Sequence, residues 1–413
     1  MAASAAKRII TPVLKYWGFL EHPFDDYILK GEKLSLFVNR EDEIFSFQNA
    51  LTTRLIGVYG SQGVGKSTFL RRAKEELDND GMPVVYIQMT GTTEDALYRE
   101  ILSGILKTIL IGKLSVEKSL KINAKLELER LEKSIRFARE STVGANMIAT
   151  GTVTEIKQSD IQQHTEETSC RKIHEIIKHK QNPFVVIVDD LERVKLFAES
   201  DEQYSRFISG FARTVDESFS DKGVCFAVSL DEGFVSKIAK NLPDEEGSIS
   251  FSFGDLIRIP TFKPNHALDI IRARLKEASW KKKFSDFITE EAFWCLYIAT
   301  SGHPRRLLAV LRAAMEIVAK NTAAKIVDKK IISEAINKKN EKLDEKDMLI
   351  LGYLQKNGPS SASDEAMQKQ VGLTRPALSD RLKLLKTRVY LENVRILSGN
   401  TFKEAYSIVP VSM

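Results

Sequence analysis

A glycine-rich segment near residue 60 constrains the fold of this chain more than any other feature. The stretch VYGSQGVGKSTFLRR, residues 58–72, fits the pattern G-x-x-x-x-G-K-[ST] without a mismatch. Glycines let backbone N–H groups curl around phosphate oxygens, the lysine reaches the β and γ phosphates, and the last hydroxyl can bind Mg²⁺. An apolar run precedes the segment and a helical pattern follows it. The pattern therefore predicts a phosphate-binding loop at a helix N-terminus, where the helix dipole favours anions.

The predicted phosphate contacts are the residues of this loop and of the helical turn after it. They are Gly60, Ser61, Gly63, Val64, Gly65, Lys66, Ser67 and Thr68.

A second motif, PFVVIVDDLER at residues 183–193, is an apolar run that ends in carboxylates. Such runs are typical of strands buried on both faces of a parallel sheet. Asp189 follows the run directly and is predicted to bind Mg²⁺ together with Ser67. Asp190 and Glu192 either act on the water that attacks the nucleotide or only cap the next element.

Three further apolar runs complete a predicted sheet: MPVVYIQM (82–89), GVCFAVSL (223–230) and DLIRIPTF (255–262). Five strands that alternate with helical segments predict a three-layer α/β domain. Ligands of such sheets bind beyond the carboxyl ends of the strands. Ser229, at the end of the fourth run, is placed to bond the γ-phosphate or the attacking water, or it merely ends a strand.

The ordered motifs resemble those of the AAA+ ATPases, and within them the origin-recognition and replication-initiator type. Related ATPases that regulate transposition or serve in defence are similar. The segments EHPF (21–24) and LFVNREDEI (36–44) resemble the part that cradles adenine, which adds Arg40 to the nucleotide contacts. TSGHPRRLLAVLR (300–312) resembles the lid motif whose arginine senses the γ-phosphate. That match selects Arg305, with Arg306 as second choice, unless both are only surface charges.

The resemblance implies ATP and Mg²⁺ as cofactors and ATP hydrolysis as the reaction. It assigns catalytic roles to Asp190, Glu192, Ser229 and Arg305. Asp190 stands where the family usually has a glutamate that orients the water, so slow hydrolysis is expected. A clear arginine finger is missing, and Arg213 and Arg258 are weak candidates.

A long insertion at about 95–180 separates the second and third predicted strands. Its first part has helical periodicity and a strongly charged helix with Glu and Lys at neighbouring helical positions. STVGANMIATGTVTEIKQ (141–158) is rich in β-branched residues and predicts a β-hairpin. Such a hairpin contacts DNA or a neighbouring subunit, or it simply covers the sheet.

The C-terminal segment follows the order of a winged helix-turn-helix: helix, turn, short helix, helix and hairpin. In TRPALSDRLKLLK (374–386), Leu378, Leu382 and Leu385 form a core stripe. Polar and basic residues off that stripe are predicted to contact DNA, because recognition helices bind bases and phosphates in this way. The predicted DNA contacts are Arg375, Ser379, Arg381, Lys383, Lys386 and, near the hairpin tip, Lys403. The other interpretation is a protein-docking module.

The length of 413 residues suits three domains, predicted as a nucleotide-binding domain at 1–262, a helical lid at 263–340 and a winged helix at 341–413. A net charge of +5 permits a phosphate-bearing partner. Three separated cysteines without a CxxC pair favour a reducing compartment, and no apolar stretch is long enough to predict a membrane helix. A cytoplasmic location is therefore expected.

Taken together, the sequence predicts an ATP-dependent switch that binds double-stranded DNA. Such a protein would load or recruit partners, or assemble with copies of itself on DNA. The alternative, from a different class, is a signal-transducing switch ATPase, for example in antiviral defence, whose winged helix contacts a protein.

Overall fold

The computed structural model describes most of the chain: residues 12–25, 29, 31–90, 93–144, 166–196, 201–219, 223–235, 253–321, 325–338, 345–387, 391–398 and 401–408. The chain forms two compact units. The sheet unit consists of Arg40–Gln62 and Lys66–Ile259, and the terminal unit of Met1–Asn39, Gly63–Gly65 and Pro260–Met413. Helix α1 (Pro12–Trp17) belongs to the terminal unit. The predicted domain boundaries at 262 and 340 stay predictions.

The sheet unit is built on five parallel strands. They are β1 (Leu55–Gly60), β2 (Val84–Gln88), β3 (Phe184–Asp189), β4 (Val224–Asp231) and β5 (Asp255–Arg258). Their order is β2-β3-β4-β1-β5. Every residue of β3 is buried, as the unbroken apolar run predicts. The predicted P-loop parallel sheet is confirmed, and the carboxyl ends of β1, β3 and β4 meet at one edge.

The helices of the sheet unit cover this sheet. They are α2 (Glu41–Ala50), α3 (Lys66–Asn79), α4 (Glu94–Leu110), α5 (Lys118–Gly144), α6 (Glu166–Lys178) and α7 (Asp201–Ser218). Helix α4 approaches β2 closely: a Cβ added at Gly104 would lie 2.9 Å from side-chain atoms of Val85 and Ile87. One apolar core joins the strands to α4, α6 and α7.

The insertion between β2 and β3 contains α4, α5 and α6. The predicted charged helix is present as α5. Ser141 to Gly144, where the β-hairpin was predicted to begin, lie in the last turn of α5, because β-branched propensity is only a weak preference that a long helix overrides. Residues 145–158 lie outside the described residues, so the hairpin stays a prediction.

The terminal unit is mainly helical. Its further elements are α8 (Pro264–Glu277), α9 (Glu290–Thr300), α10 (Pro304–Lys320), α11 (Lys329–Lys338), α12 (Glu345–Asn357), α13 (Glu365–Val371), α14 (Arg375–Thr387), β6 (Leu391–Ser398) and β7 (Thr401–Ile408). One apolar core extends from Leu14 of α1 through α8 to α14 and ends at Leu391 of β6. Among the described helices, none is long and apolar enough to cross a membrane.

The C-terminal elements follow the predicted order of helices and hairpin. Leu378, Leu382 and Leu385 are fully buried, which confirms the leucine stripe of α14. Strands β6 and β7 pair antiparallel. Ser360 adds a bridge to Tyr406, with backbone hydrogen bonds of 3.0 and 2.7 Å. The assignment of this segment as a winged helix stays a prediction.

Candidate nucleotide site

The phosphate loop leads from β1 directly into α3. Gly63 and Gly65 have φ of +85° and +110°, which L side chains rarely adopt, and this explains the glycines. Lys66 begins α3, and its side chain is only 6 % exposed. Its Nζ donates hydrogen bonds to the carbonyl oxygens of Gly60 at 2.8 Å and Ser61 at 3.4 Å. The lysine therefore lies back over the loop that precedes it.

Glu192 supplies the counter-charge of Lys66. It lies in the 3-10 turn Leu191–Leu196 that follows β3, and its Oε2 is 3.0 Å from the lysine Nζ. Burial raises the pKa of the Glu192 carboxyl, Lys66 opposes this shift, and the nearby Asp231 and Asp190 add to it. The lysine thus already holds an anion where the loop is predicted to receive phosphate.

Asp189 and Ser67 lie side by side at the ends of β3 and the loop. The Ser67 hydroxyl donates to Oδ1 of Asp189 at 3.0 Å, and the Tyr86 hydroxyl donates to Oδ2 at 2.6 Å. Asp189 is fully buried, and this burial raises its pKa. Carboxylate and hydroxyl oxygens suit Mg²⁺, which needs only one or two protein ligands beside phosphate and water. A buried anion paired with a hydroxyl fits that metal well.

Asp190 is held differently from Glu192. Its φ of +61° is left-handed, its N–H donates to Oδ1 of Asp189 at 2.9 Å, and its Oδ2 accepts a hydrogen bond from Gln88 Nε2 at 2.8 Å. The two candidate carboxylates therefore have separate partners: Gln88 holds Asp190, and Lys66 holds Glu192.

Ser229 is buried, and its hydroxyl oxygen accepts the N–H of Leu191 at 3.2 Å. It therefore anchors the turn that carries Glu192. Strand β4 continues to Asp231, which pairs with Gly60 at the start of the loop. The sequence reasoning missed Asp231, although the strand pattern extended by one residue would have included it. Its carboxylate also raises the pKa of Tyr204 after the larger effect of burial.

Three predicted nucleotide contacts remain. Arg40 and Thr68 belong to the sheet unit, and Val64 belongs to the terminal unit. Arg40 is buried and pairs with Oε1 of Glu43 at 2.8 Å, and burial lowers the pKa of its guanidinium. Val64 is buried and Thr68 half-buried. Their contact with nucleotide stays a prediction.

Arg305 and Arg306 lie in the first turn of α10, Arg305 exposed and Arg306 half-buried. Within the terminal unit, a Cβ added at Gly63 would lie 3.0 Å from Cδ and Nε of Arg305 and from Cε1 of His303. The predicted sensing arginine therefore packs on a glycine of the phosphate loop.

The predicted DNA contacts on α14 differ in how exposed their side chains are. Arg375 and Lys383 are exposed and Ser379 is half-buried. Arg381 pairs with Oδ1 of Asp347 at 2.8 Å, and the Asp347 side chain is only 2 % exposed. Lys386 lies in α14 and Lys403 in β7, but their side chains are outside the described part.

A parallel sheet in which the inner strand β1 leads into this loop, with Lys66, Ser67 and a buried Asp189 at its edge, defines a P-loop ATPase. The sequence matches the family ATPase_2, an ATPase domain predominantly from Archaea, over residues 37–310. This match spans more than half of the 413 residues, so the chain belongs to that ATPase family. The predicted membership of an ATPase family is therefore confirmed.

Solved structures with a similar fold include two kinds of protein. The Aeropyrum pernix ORC2 protein in its ADP form is 12 % identical with a TM-score of 0.43, covering 95 % of this chain and 94 % of that chain. The Thermotoga maritima RuvB Holliday junction branch migration motor is 12 % identical with a TM-score of 0.39, covering 90 % and 96 %. No curated protein matches the sequence.

Proposed function

We propose that this chain binds ATP with Mg²⁺ at the phosphate loop, hydrolyses it, and uses it as a switch for binding double-stranded DNA and recruiting or loading partners. The observation that carries the first part is the convergence of Lys66, Ser67 and Asp189 at one edge of the sheet. Loop N–H groups and Lys66 would bind the phosphates, and Ser67 and Asp189 would hold Mg²⁺. The metal supplies charge neutralisation at the phosphates.

Phosphate binding would change the partner of Lys66. A nucleotide phosphate and the Glu192 carboxylate both need the same ammonium, so Lys66 releases Glu192 when it binds phosphate. A released carboxylate next to the site can orient or deprotonate water. Asp190, held by Gln88, is the other candidate for that role.

The DNA part of the proposal is based on the terminal unit. Arg375 and Lys383 lie on α14 away from its buried leucine stripe, which is how basic residues of a recognition helix reach phosphates. The same unit contains Arg305 packed on Gly63. Gly63, Arg305 and α14 thus belong to one unit, and a nucleotide switch would act through such a contact. Self-assembly on DNA, or a protein partner, would complete the function.

A second candidate function is a signalling switch that acts through a protein partner, for example in defence. Leu384 favours it, because this leucine is 42 % exposed on α14, directly after Lys383. An exposed apolar side chain gains more from burial against protein than from a phosphate backbone.

Nucleotide binding is tested by titrating a fluorescent ATP analogue with Mg²⁺. We expect the parent protein to bind and Lys66→Ala to lose binding, because the variant lacks the side-chain charge aimed at the phosphates. Lys74→Ala is the matched control: Lys74 lies in the same helix and pairs with Asp78. Equal affinity in Lys66→Ala and the parent would show that the loop assignment is wrong.

The DNA switch and the protein-partner switch are distinguished by measuring duplex DNA binding with ATP, with ADP and without nucleotide. Electron microscopy of the complexes shows whether they assemble. Salt-dependent binding and ATP-dependent assembly support the DNA switch. Absence of duplex binding in all three states supports the protein-partner candidate.

A further inference from the structure

The two carboxylate oxygens of Asp189 have different hydrogen-bond partners, and Tyr86 is the partner of one of them. The tyrosine hydroxyl donates to Oδ2 at 2.6 Å, whereas Oδ1 accepts from the hydroxyl of Ser67 at 3.0 Å and the N–H of Asp190 at 2.9 Å. Tyr86 lies in β2 two residues before Gln88, which is the register partner of Asp189. One carboxylate oxygen is therefore fixed to the neighbouring strand, and the other lies beside the loop hydroxyl.

The tyrosine is itself held in place. The guanidinium of Arg71 lies 4.6 Å from the centre of the Tyr86 ring, and Arg71 Nη2 donates to Oε1 of Gln88 at 3.3 Å. Arg71 is one helical turn after Ser67 on α3. The ring is thus fixed from the side of α3 while its hydroxyl donates to Asp189.

We propose that Tyr86 is a positioning residue for Mg²⁺: it fixes Asp189 so that Oδ1 is presented, together with the Ser67 hydroxyl, to the cation that accompanies ATP. This inference rests on the proposed nucleotide function. The physical reason is that the bond from Tyr86 ties Oδ2 to the neighbouring strand, so the carboxylate cannot rotate to exchange its two oxygens. Hydrogen bonds to a metal ligand commonly set its orientation and the affinity for the metal.

The test compares the parent with Tyr86→Phe, which keeps the ring beneath Arg71 and removes only the hydroxyl. Tyr98→Phe is the matched control, because Tyr98 is a buried tyrosine of the same unit that packs against the rings of Phe211 and Phe219. The affinity for a fluorescent ATP analogue is measured in EDTA and then across a Mg²⁺ titration.

We expect all three proteins to bind the analogue equally in EDTA, where the loop and Lys66 provide the contacts. In Tyr86→Phe alone, the Mg²⁺ concentration at half of the affinity gain should rise about 10–100-fold, the usual cost of losing such an orienting partner. Circular dichroism and the thermal midpoint check that each variant is folded.

The experiment separates the role of Tyr86 from nucleotide binding itself. If the parent binds no analogue under any condition, both are overturned. If the parent shows a Mg²⁺-dependent gain and Tyr86→Phe has the same midpoint, only the role of Tyr86 is overturned. Weaker binding of Tyr86→Phe in EDTA overturns it as well, because the hydroxyl would then support the loop itself.

A second variant keeps the inference testable if Tyr86→Phe does not fold. Arg71→Met removes the cation above the ring and leaves the hydroxyl in place. It should raise the Mg²⁺ midpoint in the same direction but by less than the loss of the hydroxyl. An unchanged midpoint in a folded Arg71→Met protein would contradict the proposal.

Discussion

Lys66 and Glu192 form an ion pair of 3.0 Å in which the lysine side chain is 6 % exposed and the glutamate side chain 24 %. The lysine comes from the first turn of α3 and the glutamate from the turn after β3. Because the phosphate loop depends on this ammonium, Glu192 and the phosphates of a nucleotide compete for one cation. Glu192 neutralises the charge of Lys66, and phosphate binding at this lysine would break or weaken that pair.

Glu192→Gln should therefore bind a non-hydrolysable ATP analogue more tightly than the parent. A hydrogen bond to a charged group contributes about 1.5–3 kcal/mol net, so removing the competing anion should strengthen binding by about tenfold or more. The measurement is a fluorescence titration. Glu75→Gln is the control, since Glu75 pairs with Arg72 on the exposed side of α3. Unchanged affinity in Glu192→Gln would contradict the competition.

Asp190→Asn should leave nucleotide binding intact and slow hydrolysis by about 10²–10⁴-fold, the usual contribution of a group that orients or deprotonates water. Phosphate release under single-turnover conditions measures it. Normal turnover in Asp190→Asn with a comparable loss in Glu192→Gln would transfer the role to Glu192. Normal turnover in both would leave a switch with little hydrolytic chemistry of its own.

The parts of the site that the sequence predicts are those made by neighbouring residues. The loop from Gly60 to Ser67 and the carboxylate of Asp189 are local patterns, and five apolar runs locate the five strands. The partners of these groups were not predictable, because the sheet order decides them. Tyr86 reaches Asp189 across 103 residues only because β2 lies beside β3. Periodicity indicates a buried strand without saying which strand is its neighbour.

Asp189→Asn should stabilise the protein at neutral pH in the absence of Mg²⁺ and nucleotide. Burial raises the pKa of Asp189 above its ordinary value of 3.8, so the folded state binds this proton more tightly than the unfolded state. The stability that comes from the neutral carboxyl is present below pH 3.8 and is lost as pH rises through the higher folded-state pKa. The gain from the asparagine should therefore grow as pH rises from 3.8 through the folded-state pKa and stay constant at higher pH.

Denaturant unfolding at several pH values measures this difference in the free energy of unfolding. Asp216→Asn is the control, because the Asp216 side chain is 64 % exposed in α7. A gain that is independent of pH would contradict the explanation, since it would show that the charge of Asp189 is not its cause.

Arg381→Ala should destabilise the terminal unit rather than act on DNA alone. Asp347, its partner at 2.8 Å, is 2 % exposed and would lose a charge-assisted hydrogen bond, which costs about 1.5–3 kcal/mol. Arg375→Ala, on the exposed face of α14, should change the free energy of unfolding by about 0.5 kcal/mol or less. The measurement is denaturant unfolding of both variants. Equal stabilities would show that the ion pair contributes nothing to the fold.

Arg375→Glu combined with Lys383→Glu should leave nucleotide affinity and the thermal midpoint near those of the parent, because both side chains are exposed on α14 and the buried leucine stripe is unchanged. Duplex DNA binding should weaken, and the slope of log affinity against log salt should fall by about 0.9 for each phosphate that the protein no longer neutralises.

Lys329→Glu combined with Lys330→Glu is the matched control, since these lysines are also exposed in the terminal unit, on α11. If both double variants weaken binding equally, the effect is that of net charge, and α14 is not the DNA-binding element. If neither does, the exposed face of α14, with Leu384 on it, is better explained as a surface for a protein partner.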